Sequence, residues 1–221
     1  MTQAVVPAGA AAVAHHDDHS TDTNTGVSNA KLAIWLFLSS EALFFGAFIS
    51  TYFLYRGGDS VFLNKGYPDA LTPEKLYNIP FTSVTSFILL MSSLTMVLAL
   101  AAIQRGDHRQ LRIWLLATAI FGATFVGGQV YEFTEFYRQG LHLSTNMFGT
   151  TFFVLTGLHG AHVTVGIIWL LLVWGRSMQG RIPQEKSEAV EIAGLYWHFV
   201  DIVWIVIFTV VYLIPAPHQG F

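Results

Sequence analysis

Five ionisable side chains lie well inside long apolar runs of this 221-residue chain: Glu41, His159, His162, His198 and Asp201. Such groups are costly in a bilayer and seldom incidental. Glu41 falls roughly ten residues into the run Ala30–Tyr55, AKLAIWLFLSSEALFFGAFISTYFLY. At about 1.5 Å rise per residue its carboxyl is about 14 Å deep, near the midplane. His159 and His162 stand three apart in FGTTFFVLTGLHGAHVTVG, so they share a helix face at a depth close to that of Glu41. A carboxyl and an imidazole at one depth can pair across helices, each offsetting the other's desolvation. Glu41 is therefore expected to hold a proton, or to share one with a histidine: His159 first, His162 second. The alternative for the histidines is bonding to hydroxyls such as Thr156. Two histidines and a carboxylate are also metal-ligand types, but no fourth ligand or second shell is readable. His198 and Asp201 repeat the three-residue spacing, flanked by Trp197 and Trp204. Pairing across helices is expected for them ahead of proton handling, since no chain of further acids leads away. Gln129, Glu132 and Glu135 recur every three residues in GGQVYEFTEFY and are read as helix-end groups, the acids exposed at the membrane surface.

The elements that must position these groups are five apolar segments of spanning length: about 30–55, 81–103, 111–131, 148–174 and 192–214. They are continuous runs, not the ten-residue alternation of a barrel, so the fold class is an all-α membrane bundle of five helices. Residues 1–29 are expected to be a disordered polar tail, 30–215 the transmembrane domain and 216–221 a short external tail. The tail cluster His15, His16, Asp17, Asp18 and His19 reads as solvated in preference to metal-binding, because no folded scaffold fixes its geometry. A long polar connection, Arg56–Pro80, carries several glycines and prolines. The tight connection Gln104–Gln110 makes helices two and three antiparallel neighbours. Lys31, Arg105, Arg109, Arg112, Arg176, Arg181 and Lys186 collect on one face, and Arg56, Lys65, Lys75 and Arg138 on the other. That asymmetry predicts the N-terminus inside and the C-terminus outside, with Asp201 about one-third of the way in from the inner face.

Composition narrows the function. The chain is 53% hydrophobic and 11% charged, against about 25% charged in soluble domains. A net charge of -3 argues against a nucleic-acid partner. With no cysteine, disulfides, thiolate metal sites and cysteine nucleophiles are excluded. No phosphate loop, nucleophile–base arrangement or haem-attachment motif is present. The N-terminus lacks the pattern of a cleavable signal.

Three stretches, SSEALFF around Glu41, FGTTFFVLTGLHGAHVTVG at 148–166 and YWHFVDIVW at 196–204, together strongly resemble subunit III of haem–copper terminal oxidases. GGQVYEFTEFY looks like the end of a family helix. The resemblance spans about residues 30–214, with all five helices in order. The fuller family form has seven helices; this chain lacks the first two, as many bacterial members do, which bears on the lipid-filled cleft those two make with the rest. The resemblance implies a subunit without haem or copper, which belong to subunits I and II, and it admits structural phospholipid. It implies partnership with subunits I and II near the entry of a proton-uptake path, and location in the bacterial plasma membrane. The family's buried glutamate matches Glu41, its histidines His159 and His162, and its last-helix residues Trp197, His198 and Asp201. Glu41, Gln129 and YWHFVD look more like the cytochrome c type, the His-rich tail and FTVVYLIP somewhat like the quinol type; the cytochrome c type is preferred. A competing class, a stand-alone proton-coupled transporter using Glu41 and His159, is disfavoured, because transporters usually show repeats and broken helices.

Overall fold

The computed structural model describes residues 28–56, 78–143, 147–180 and 187–214. The His15–His19 cluster, most of the long polar connection and the final residues fall outside that set. Among the described residues five helices follow in order: α1 Asn29–Arg56, α2 Ile79–Gln104, α3 His108–Arg138, α4 Met147–Met178 and α5 Glu188–Phe208. Each is long and apolar enough to cross a membrane. Only helices satisfy every backbone group within a single apolar segment, which is why these runs fold this way. The last helix continues through one π-helical turn, Thr209–Leu213.

Local chemistry sets the ends. Asn78 precedes α2 and its Oδ1 accepts from the Phe81 amide, with Pro80 in the first turn, where a missing N–H costs nothing. α2 stops at Gly106, whose φ of 76° suits only glycine at low cost. Asp107 then caps α3, its carboxylate accepting from the amides of Arg109 and Gln110 at 3.1 and 3.0 Å. Three residues thus reverse the chain, and α2 and α3 pack along their length as antiparallel neighbours. α3 runs seven residues past the expected end at Tyr131, to Arg138.

α5 is the centre of the bundle. It packs on α1, α2 and α4, and 56% of its apolar stretch is buried against 17% for α1. α1 lies at the edge, on α4 and α5. Its inward residues are Ile34, Leu38, Glu41, Phe45, Phe48 and Tyr52, a spacing of four and three that makes a narrow coiled-coil-like seam. Glu41 occupies a seam position. The Lys31 ammonium meets Glu191 at 2.9 Å, and Ser28 bonds Glu188, fastening the start of α1 to the start of α5.

Candidate functional site: buried polar groups between the helices

Glu41 meets α4 at His162, not at His159. The Oε2–Nε2 distance is 3.2 Å, and both side chains are about one-fifth exposed (19% and 21%). The other imidazole nitrogen, Nδ1, lies 2.8 Å from the Leu158 carbonyl. A carbonyl can only accept, so Nδ1 carries a hydrogen. That leaves Nε2 as the ring atom that faces the Glu41 carboxyl. Phe45 presses edge-on against the imidazole at 5.1 Å. Tyr196 of α5 donates to the His162 carbonyl at 3.0 Å.

His159 points the other way. It is wholly buried, stacked on Trp204 at 4.9 Å and met edge-on by Phe125. Neither ring nitrogen has a hydrogen-bond partner. The expected first-choice pairing with Glu41 is therefore corrected: three residues along a helix turn the side chain by about 60°, enough to move it from the α1 seam into the aromatic interior.

That interior is pinned by two indoles of α5. Trp197 donates from Nε1 to Ser92 Oγ at 2.9 Å, and Trp204 to Ser86 Oγ at 2.8 Å. Each serine passes its own hydrogen to a carbonyl of α2, Leu89 and Thr82 respectively. Glycines make room for the Trp197 ring. A Cβ on Gly122 would stand 2.5 Å from its Cη2, and one on Gly166 2.9 Å from its Cζ3. Trp197 therefore touches α2, α3 and α4 at once. Gln129 donates from Nε2 to the Thr156 carbonyl at 2.6 Å, with its amide lying against Gly160. Here the small residue admits a polar side chain, as membrane helix interfaces do.

Glu132 is buried rather than exposed (7%). Its Oε1 accepts from Thr82 at 2.5 Å and its Oε2 from Tyr212 at 3.2 Å, so it joins α2, α3 and the π-turn after α5. Glu135 does lie at the surface, bonded to Gln139 and near Arg138. Asp201 sits at the middle of the 188–213 run, deeper than one-third, because α5 starts four residues before the expected Ile192. It is 3% exposed and neither carboxyl oxygen makes a hydrogen bond. His198 contacts Ser93 through Nδ1 at 2.7 Å.

The sequence reading passed over the hydroxyls of α2. Thr82, Ser86, Ser92 and Thr95, the last bonded to Thr118 of α3 at 2.7 Å, are all buried. Thr82 and Thr95 turn to α3, Ser86 and Ser92 to α5, and the recurrence of hydroxyls every few residues along an uncharged helix was the available signal.

Residues 10–215 match the family model described as cytochrome c oxidase subunit III. Similar curated proteins carry two kinds of name. A probable quinol oxidase subunit 3 of Staphylococcus saprophyticus is 34% identical over 93% of this chain and 99% of its own. The cytochrome c oxidase subunit 3 of Alkalihalophilus pseudofirmus is 37% identical over 84% and 86%. The quinol oxidase subunit 3 of Bacillus subtilis is 35% identical over 82% and 85%.

Proposed function

This chain belongs to the cytochrome c oxidase subunit III family, and from that premise we propose that it is the non-redox subunit of a proton-pumping oxidase that passes electrons from cytochrome c to oxygen. It is a multi-pass membrane protein and a subunit of a terminal oxidase complex. In this reading it stands beside subunits I and II in the bacterial plasma membrane, N-terminus inside and C-terminus outside. There it steadies subunit I near the mouth of its proton-uptake path and supports proton delivery. Haem and copper lie in the partners, and lipid fills the gaps around the bundle.

The observation that carries the reading is how the buried polar groups are used. Trp197 on Ser92, Trp204 on Ser86, Gln129 on α4 and Glu132 on Thr82 and Tyr212 are all bonds between helices. That is the construction of a scaffold that holds a shape beside a catalytic neighbour. The Lys/Arg asymmetry supports the orientation. SSEALFF, Gln129 and YWHFVD favour cytochrome c as donor; the quinol reading is favoured by the names of the Staphylococcus and Bacillus subtilis relatives.

Purification of a tagged chain in mild detergent tests this. A haem-bearing large subunit should co-purify, and the complex should consume oxygen with reduced cytochrome c. Oxygen uptake with a quinol alone would move the assignment to the quinol type. A chain recovered without any haem protein, and active alone as a carrier in liposomes, would refute the oxidase reading.

A further inference from the structure

We draw no further inference here: the strongest candidate, the outward face of the edge helix α1, where the small residues Ala42, Gly46 and Ser50 recur every four positions and lie exposed, is a small-residue stripe on an apolar helix, and nothing in the structure shows what covers it.

Discussion

Replacing Gly122 by alanine puts a methyl group into space that Trp197 already occupies. The new Cβ would stand 2.5 Å from Cη2 and 2.9 Å from Cζ2 of the indole, and 3.2 Å from Ile167. The ring has little freedom to withdraw. Its far edge is 2.9 and 3.0 Å from the Cβ position of Gly166 on α4, and its Nε1–H is tied to Ser92 of α2. Either α3 backs away from α5 or the indole tilts and loses its bond. Overpacking of this kind costs about 1–3 kcal/mol, and a lost buried hydrogen bond about 1 kcal/mol more. Gly122→Ala should therefore destabilise the bundle by about 2–4 kcal/mol. Trp197→Phe alone leaves a void and frees Ser92, for about 2–4 kcal/mol. In the double variant the methyl enters the space left by the larger ring, so the two costs overlap by about 1–2 kcal/mol. Unfolding in mixed detergent micelles of rising denaturing fraction, followed by tryptophan fluorescence and circular dichroism, gives the four values of the cycle. Costs that add within about 0.5 kcal/mol would show that the two residues are uncoupled, and the packing argument would fail.

Three further outcomes follow from the buried polar groups. Glu41→Gln keeps an N–H donor toward His162 Nε2, so stability should change by under about 1 kcal/mol and oxygen consumption of the assembled oxidase should stay largely intact; complete loss in a normally assembled complex would contradict the scaffold reading. A hydrophobic carbodiimide should label Glu41, which is partly open to the lipid side, ahead of Glu132, which is sealed, and Glu135, which is at the bundle end; equal labelling of all three, measured by peptide mass, would count against a proton resident on the Glu41–His162 pair. Tyr212→Phe should cost about 1 kcal/mol, the loss of one bond to Glu132, and Glu132→Ala about 2–4 kcal/mol, because it removes the bonds from Thr82 and Tyr212 and leaves a cavity; thermal unfolding in detergent separates the two.

The five helices were legible because a bilayer leaves an apolar twenty-residue segment almost no other structure. The pairing of an acid on α1 with an imidazole on α4 was legible from depth alone. Which imidazole was not. Glu41 is the one acid or base of α1 between Lys31 and Arg56, and the hydroxyls beside it satisfy themselves on their own helix, so the sequence does not say which way α1 faces, and the choice between His159 and His162 hangs on a difference of about 60° in azimuth. Trp204 and Phe125 decide it, and neither lies near either histidine in the chain. Glu132 was misplaced because hydropathy drops after Tyr131, while the helix continues to Arg138 and its acid finds two hydroxyls. Ser86 and Ser92 passed as inert because serine in an apolar helix can satisfy itself on its own backbone. Both do so, and both also receive an indole from a helix more than one hundred residues away.

The π-turn at Thr209–Leu213 closes with the Ile214 amide on the Thr209 carbonyl, five residues back. Such a turn is an ordinary helix holding one residue more than its pitch accommodates. The chain is thus locally out of phase with itself, and the phase shift is what brings the Tyr212 hydroxyl around to Glu132. Deleting either Val210 or Val211 would restore regular winding and carry the phenol about 100° away. The bundle would keep its hydrophobicity and its length, yet Glu132 would lose one of its two donors. In comparing this chain with its relatives, a one-residue gap at this point is therefore not a neutral trimming of a helix end. It marks members in which the acid at the end of α3 must be satisfied by something else.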